Sequence, residues 1–195
     1  MRHAHLFGAI AWIAVSFASL AALAKYKSIP GHQGVSREMW PAKTAISRGL
    51  DRPTLVLFLH PRCPCARATV EELIAILSLA QTPAKVDVAF FLPDEESEAW
   101  GRTDISRTVA DLPGVAFHWD RGGREARGFG ASTSGHAFLY NPAGRLRFSG
   151  GITASRGHVG DNPGRRAVID LLLAKTPETS AFPVFGCPIL DDPLE

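Results

Sequence analysis

The sequence predicts an α/β fold in which helices flank a central mixed sheet, preceded by one N-terminal hydrophobic helix. Three observations predict this class. The chain opens on a long uncharged apolar run, short apolar runs then alternate with helix-patterned segments, and two later short runs flank a turn. Of the 195 residues 46% are hydrophobic, which is enough to build the core of one domain.

Residues 1–24 are the first predicted element, a membrane anchor. A basic start is followed by Leu6 to Ala24, a run without a charged residue. At about 1.5 Å per residue this run nearly matches a hydrocarbon core of roughly 30 Å, whereas the apolar part of a secretory signal usually has about 7–15 residues. We expect a single N-terminal pass with the domain extracytoplasmic, in the periplasm. The alternative is a signal segment cleaved after Ala22-Leu23-Ala24, which would leave a secreted protein.

The segments after residue 24 lead from the predicted anchor into the domain and form its first three elements. Residues 25–52 are punctuated by proline and glycine without a sustained period, so we expect a stalk and lead-in. The continuous apolar run Thr54 to Leu59 predicts a buried strand, and apolar positions at helical spacing predict a helix from Pro64 to Leu79. A second apolar run, Val86 to Leu92, predicts the next strand. Strand, helix and strand therefore alternate, as in a βαβ unit.

The second half of the domain shows patterns of the same kinds. Its predicted elements are, in order, one or two helices within 94–111, a strand from Val115 to Trp119, a turn at Gly122-Gly123 with a short helix to Phe129, a hairpin of Ala137 to Tyr140 and Leu146 to Phe148 around Asn141-Pro142-Ala143-Gly144, a closing helix from Asn162-Pro163 to about Ala174, and a tail over 176–195.

This order of elements, with Cys63-Pro64-Cys65 directly after the first core strand, resembles the thioredoxin-like superfamily. The chain also resembles bacterial membrane-anchored thioredoxin-like proteins of the RedB type. The motifs that carry this second resemblance are His60-Pro61-Arg62-Cys63-Pro64-Cys65, Thr133-Ser134-Gly135-His136, Gly150 to His158 and Phe185-Gly186-Cys187-Pro188. The resemblance implies a thioredoxin-like fold over residues 53–175 and a redox function.

The spacing of Cys63 and Cys65 restricts where they lie. Inside one helix, side chains two residues apart point about 200° apart, so their sulfurs would not meet. We expect Cys63 at the N-cap, Pro64 at the first helical position and Cys65 in the first turn. There, free backbone N–H groups and the helix dipole lower a thiol pKa and favour the reactive thiolate. A static disulfide or two structural thiols are the alternative.

Two features differ from thioredoxin itself. One residue separates the cysteines instead of two, so either Cys63 replaces the attacking cysteine or Cys65 keeps the resolving place. In addition, Leu57 stands where thioredoxin has a buried acid, and Gly135 or Ser134 stands where it has a cis-proline. A glycine at that place would let substrate backbone approach closely, or it would mark a bulge.

A long loop and the tail supply further candidates. The loop over 149–161 is expected to face the cysteines, and it contains Arg156 and His158. The tail is long enough to fold back along the closing helix, which would bring Cys187 to the other two cysteines. A structural role for Cys187 in a docked tail is the alternative.

Three histidines, His60, His136 and His158, are candidate proton carriers or metal ligands beside the thiols. Each of them is otherwise an ordinary surface or turn residue.

We predict a membrane-anchored thiol–disulfide oxidoreductase with Cys63 as nucleophile and Cys65 or Cys187 resolving. The predicted substrate-binding residues are Pro64, Gly135, His136, Arg156 and His158. No cofactor or metal is predicted for this activity. The alternative function is a thioredoxin-fold chaperone for copper or another metal, because thiolates and imidazole suit copper(I).

The expected partners are extracytoplasmic protein thiols or disulfides, together with the lipid bilayer through residues 6–24. The 21 basic and 19 acidic residues are spread along the chain without a basic stripe. Because a row of cations is needed to neutralise a row of phosphates, no nucleic-acid partner is predicted.

Overall fold

The computed structural model describes residues 2–80 and 84–190, with residues 2–4 and 6 described by their backbone alone. Met1 and residues 191–195, the last part of the predicted tail, lie outside the described residues. The elements are, in chain order, α1 Arg2–Ser28, β1 Thr54–Leu59, α2 Ala66–Ala80, β2 Lys85–Leu92, α3 Glu98–Gly101, α4 Asp104–Ala110, β3 Val115–Arg121, α5 Arg124–Phe129, β4 His136–Tyr140, β5 Leu146–Gly151 and α6 Pro163–Leu172.

The five strands form one mixed sheet in the order β3-β2-β1-β4-β5. Strands β1, β2 and β3 run parallel, whereas β4 is antiparallel to both β1 and β5. This topology confirms the predicted thioredoxin-like α/β class. Phe58, near the end of β1, pairs with His136 at the start of β4. The residues that follow β1 therefore lie beside the residues that precede β4.

The continuous apolar run of β1 is explained by its place at the centre of the sheet, where all six residues are buried. One core cluster lies between the sheet and helices α2 and α6, and it includes Leu57, Leu73 and Val168. A second cluster covers the opposite face of the sheet, with Phe58 and Phe138 at its centre. Both faces of β1 are thus covered, as a continuous apolar strand requires.

The start of α2 differs from the prediction. The amide of Ala66 donates to the carbonyl of Cys63 at 3.0 Å, which closes a turn, and the i to i+4 bond that opens the helix runs from the amide of Thr69 to the carbonyl of Cys65 at 3.4 Å. The predicted N-cap position of Cys63 is therefore wrong. Cys65 takes that position, and Cys63-Pro64 lie in the turn before the helix.

Residues 31–50 pack against the second face of the sheet. Trp40 meets the rings of Phe129 and Tyr140 edge-on, each at 5.1 Å between centroids. The hydroxyl of Tyr140 donates to the carbonyl of Arg37 at 2.8 Å, and Ile46 is buried in the second cluster. This part of the predicted lead-in completes the core.

Helix α1 stands apart from the core. Its apolar stretch, Phe7–Ser28, is long and apolar enough to cross a membrane, and none of its best apolar window is buried in the protein. A signal sequence near the N-terminus can meet the same criteria of length and composition. The retained anchor stays a prediction.

Candidate functional site

The site is built on the turn that joins β1 to α2. The amide of Cys63 donates to the carbonyl of His60 at 3.1 Å, and this bond turns the chain directly after the strand. Cys63 is only 1% exposed and packs in the first core cluster, whereas Pro64 is exposed and Cys65 is partly exposed. The turn therefore buries one sulfur and leaves its neighbours at the surface.

The C-terminal tail brings the third cysteine to this turn, as the length of the tail allows. The amide of Cys187 donates to the sulfur of Cys63 at 3.4 Å. The Cys187 side chain also hydrogen-bonds to the Cys63 sulfur. All three cysteines are free thiols, and Cys187 is partly exposed. The structure thus brings the three cysteines together, as expected from the length of the tail.

Backbone pairing with the segment before β4 holds the tail in place. The amide of Ser134 donates to the carbonyl of Cys187 at 2.8 Å, and the amide of Ile189 donates to the carbonyl of Ser132 at 2.9 Å. Thr133 and Pro188 form the antiparallel bridge between these bonds. Gly186 lies so close that a side chain there would meet the carbonyl of Ser134. The tail is therefore docked as a short extra strand.

The pKa of Cys63 is lowered. Burial alone raises the pKa of this thiol, but four hydrogen bonds to the sulfur outweigh that effect, and they come from the Cys187 side chain, the amides of Cys187 and Cys65, and the Ser134 hydroxyl. Hydrogen bonds to a thiolate stabilise the charged form. Of the three cysteines, Cys63 is consequently the one whose thiolate form its surroundings favour.

The other two thiols are shifted in the opposite direction. Burial, followed by the negative charge and the hydrogen bond of Cys63, raises the pKa of Cys65, against the expectation for a helix start. Burial and the hydrogen bond to Cys63 raise the pKa of Cys187 to about 12. Cys65 and Cys187 thus keep their own protons and remain hydrogen-bond donors to the Cys63 sulfur.

Ser134 is a site residue whose role the sequence did not indicate. Its buried hydroxyl hydrogen-bonds to the Cys63 sulfur and accepts from the amide of His60 at 2.9 Å. Ser134 belongs to the motif Thr133-Ser134-Gly135-His136, but a serine in a turn gives no sign of a contact with a sulfur 71 positions earlier. Only the pairing of β1 with β4 brings the two together.

Arg156 is the cation of the site. Its guanidinium donates through Nη1 to the carbonyl of Gly186, and its positive charge favours the thiolate forms of Cys65 and Cys187. The long loop after β5 therefore faces the cysteines, as its place in the topology predicted. The loop is fixed to α2 by Glu72, a fully buried carboxylate that accepts from the amide of Gly160 at 2.6 Å and pairs with Arg165 at 2.8 Å.

The three histidines lie in different surroundings. His136 is buried, its Nε2 lies 2.8 Å from the hydroxyl of Ser149, and its Nδ1 has no hydrogen-bond partner. Burial lowers the pKa of His136 to about 4, so the ring is neutral at pH 7. His158 is exposed on the loop. His60 lies nearest to the cysteines along the chain, and its Nδ1 accepts from the amide of Arg62 at 3.1 Å.

An aromatic surface borders the turn. The ring of His60 stacks on Phe91 at 5.6 Å between centroids and meets Trp100 edge-on at 5.7 Å. The guanidinium of Arg62 lies 4.2 Å from the centroid of Trp100. Cation–π and stacking contacts of this kind hold the surface together beside the exposed Pro64.

Gly135 has a place in the backbone framework of the site. Its φ of +98° is in the region that favours glycine, and its amide donates to the carbonyl of Phe58 at 2.8 Å. A side chain at Gly135 would come within 3.2 Å of the Thr69 hydroxyl. Gly135 thus lets the segment before β4 approach both β1 and α2. Leu57, which stands in place of a buried acid, is part of the first core cluster.

Within residues 2–80 and 84–190, no group of three or more His, Cys, Asp or Glu side chains has the arrangement of a metal site. The chemistry that the site offers among the described residues is that of the three thiols, the Arg156 cation and the neutral ring of His136.

Comparison with known proteins relates this architecture to several solved structures, including the two described below. No protein-family model matches the chain, and no curated sequence does. An uncharacterized conserved protein from Geobacillus kaustophilus is similar with a TM-score of 0.61 and 16% identity, over 86% of this chain and 95% of that chain. A hypothetical protein from Sinorhizobium meliloti is similar with a TM-score of 0.56 and 21% identity, over 85% of this chain and 96% of that chain. Likeness at this level of identity is a likeness of fold.

Proposed function

We propose that this protein is a membrane-anchored thiol–disulfide oxidoreductase that acts outside the cytoplasm with Cys63 as its nucleophile. One observation carries the proposal: the sulfur of Cys63, with a lowered pKa, receives hydrogen bonds from the amide and the side chain of Cys187. A nucleophilic thiolate with a second thiol in contact is the arrangement that thiol–disulfide exchange needs. The apolar helix α1 supports the anchor.

The first step exchanges the partner disulfide for a mixed disulfide with the site. The Cys63 thiolate attacks one sulfur of a partner disulfide, the partner S–S bond breaks, and a mixed disulfide forms between Cys63 and the partner. The second partner sulfur leaves as a thiolate. Because Cys63 is almost fully buried beneath the tail, the tail moves aside while the partner sulfur approaches.

The second step releases the partner. Once Cys63 is in a mixed disulfide, its negative charge no longer raises the pKa of Cys187, and the charge of Arg156 still favours the Cys187 thiolate. The Cys187 proton passes to the partner thiolate that the first step released, and Cys187 attacks the Cys63 sulfur. The mixed disulfide breaks, and the partner sulfur that was bound to Cys63 leaves as a thiolate that takes a proton from water, to which Cys63 had given its own. The partner leaves as a dithiol with two added electrons and two added protons. The site keeps a Cys63–Cys187 disulfide, which an external dithiol returns to the reduced form.

Cys187 is proposed as the resolving cysteine because its segment can move with the substrate. Cys65 is fixed at the N-cap of α2, while Cys187 lies on the tail, which short backbone pairing and a few side-chain hydrogen bonds hold in place. We expect the Cys65→Ser variant to retain exchange with a partner disulfide. The Cys187→Ser variant is expected to stop at the mixed disulfide.

Redox equilibration of the full chain in detergent tests the function. The protein is held in dithiothreitol buffers of increasing oxidised fraction, quenched, alkylated and weighed by mass spectrometry, beside a titration with copper(I). We expect one reversible two-electron transition that is lost in Cys63→Ser and kept in Cys65→Ser. Tight copper(I) binding without reversible oxidation would instead identify a metal carrier.

A further inference from the structure

The end of α1 lies directly against the redox site, and Arg156 makes the connection. The amide of Arg156 donates to the carbonyl of Lys27 at 3.1 Å, and its Nε donates to the carbonyl of Ile29 at 3.3 Å. Its guanidinium carbon lies 4.9 Å from the centroid of the Tyr26 ring. The same guanidinium reaches the carbonyl of Gly186, next to Cys187. One side chain therefore spans the distance between the last turn of α1 and the thiols.

The residues that follow α1 are bound to the site as well. The amide of Gly31 donates to the carbonyl of Val184 at 2.8 Å, and the hydroxyl of Thr133 donates to the carbonyl of His32 at 2.6 Å. Gln33 donates through its side chain to the carbonyl of Phe182 at 2.5 Å. A free linker would add about 3.3–3.6 Å of reach per residue. Here residues 31–33 are hydrogen-bonded to the tail and to Thr133 before β4, so the cysteines stay near the end of α1.

The composition of this region suits a membrane surface. Lys25, Tyr26 and Lys27 end the apolar stretch, and aromatic and basic residues of this kind lie at membrane–water interfaces. Two apolar side chains are exposed in the same region: Ile29, which follows these residues in the chain, and Val159, on the loop that contains Arg156. The polar layer on each side of a bilayer is about 5–8 Å thick. With Tyr26 in that layer, the thiols lie close to the membrane surface, because Arg156 alone connects Tyr26 with the residue next to Cys187.

We propose that the cysteine site acts on thiols or disulfides that another membrane protein presents at the bilayer surface, in preference to those held further out. This inference rests on the proposed function and on retention of α1. A rigid connection to the anchor gives a high effective concentration for partners at the same height and a very low one for partners that the connection cannot reach. The electrons and protons pass between the site and such a partner by the two steps given above.

A height test in nanodiscs examines the inference with the full chain. Two transmembrane peptides are used as substrates. One has a cysteine disulfide directly after its apolar stretch. The other has ten prolines between its apolar stretch and its disulfide, which place the disulfide about 31 Å further from the membrane. We expect the full chain to reduce the low disulfide about tenfold faster than the raised one. Equal rates for the two peptides would overturn the inference while leaving the proposed function intact.

A matched pair of insertions separates geometry from co-localisation in the membrane. A flexible Gly/Ser segment inserted between Ser28 and Ile29 frees the domain from the anchor and is expected to remove the preference for the low disulfide. The same segment inserted between Pro113 and Gly114, both exposed before β3, is expected to preserve it. Circular dichroism checks that both variants are folded.

Three further outcomes are distinguishable in the same experiment. A preference that persists after the Ser28 insertion would overturn the role of the rigid connection. Cleavage of α1 from the mature protein, detected by N-terminal sequencing, would overturn the inference as well. Failure to exchange with both peptides and with dithiothreitol would reject the proposed function itself.

Discussion

Cys63 occupies a place where burial and hydrogen bonding act on its thiol in opposite directions. Burial disfavours a thiolate, while the Ser134 hydroxyl and the neighbouring amides stabilise it, and the hydrogen bonds prevail. Charge-assisted hydrogen bonds are about twice as strong as neutral ones, so several converging donors outweigh a buried position. The reactivity of the site therefore depends on donors that are distant in sequence.

The Ser134→Ala variant tests the contribution of one donor. Loss of the hydroxyl should raise the pKa of Cys63, because one hydrogen bond to the thiolate disappears while its burial is unchanged. At pH 7 a smaller fraction of Cys63 is then thiolate, and alkylation by iodoacetamide should slow several-fold. The pH dependence of the alkylation rate measures the effect. Ser78→Ala, on the exposed face of α2, is the control and should leave the rate unchanged.

His136 predicts a specific dependence of stability on pH. Its pKa is lowered to about 4 in the folded protein, against about 6.5 in the unfolded chain, so between these values the unfolded state binds more protons. Stability should therefore fall as the pH decreases from 6.5 to 4, by about 3 kcal/mol from this group. Urea unfolding of the full chain in detergent at several pH values measures the loss.

The His136→Asn variant should flatten that pH dependence, because it removes the titrating group. His158→Asn is the matched control, since His158 is exposed and should leave the slope as it is in the natural protein. An unchanged slope in His136→Asn would show that another group is responsible.

At the scale of elements, the site depends on two segments without long secondary structure, the tail and the loop after β5. The tail covers Cys63 through strand-like pairing, and the loop positions Arg156. Both are attached by a few defined contacts. This allows each segment to be displaced by a single substitution while the sheet remains intact.

The Gly186→Val variant should displace the tail, because a side chain at this position meets the carbonyl of Ser134. Uncovering Cys63 is expected to raise the ratio of its alkylation by a large polyethylene-glycol maleimide to its alkylation by iodoacetamide. Because both reagents react with the Cys63 thiolate, the thiolate fraction cancels in the ratio, which therefore reports how accessible the Cys63 sulfur is to a large reagent. Gly128→Val, in α5 and away from the tail, provides the control. A ratio that stays the same in Gly186→Val would contradict the docking of the tail.

The loop is expected to depend on Glu72. Replacing this buried carboxylate with alanine leaves Arg165 without its partner and the amide of Gly160 without its acceptor. Breaking a buried pair costs about 3–5 kcal/mol. Denaturant unfolding should show a loss of that order for Glu72→Ala, and a change of less than about 0.5 kcal/mol for the exposed neighbour Glu71→Ala.

At the scale of the whole molecule, the fold was predictable because local patterns and topology agree. The buried run Thr54–Leu59, the helical spacing in α2 and the hairpin around Asn141-Pro142 each indicated the correct element. The start of α2 was not predictable to the residue, because a turn closed between Cys63 and Ala66 competes with the helix for the same backbone groups.

The site was predictable in part, for a related reason. Candidate cysteines and a cation are visible as residue types, and the length of the tail showed that Cys187 had the reach to join them. Contacts such as Ser134 with Cys63, or Arg156 with Tyr26, join residues far apart in the chain. They depend on sheet register and on packing, which residue types alone do not encode.

The disulfide that the oxidised protein contains decides whether Cys187 is the resolving cysteine. The full chain in detergent is oxidised by a stoichiometric amount of a small disulfide, the remaining thiols are alkylated, and the digested protein is mapped by mass spectrometry without reduction. If Cys187 resolves the mixed disulfide, the oxidised protein contains a bond between Cys63 and Cys187, with Cys65 alkylated. A bond between Cys63 and Cys65, or three alkylated cysteines after oxidation, would contradict this role of Cys187.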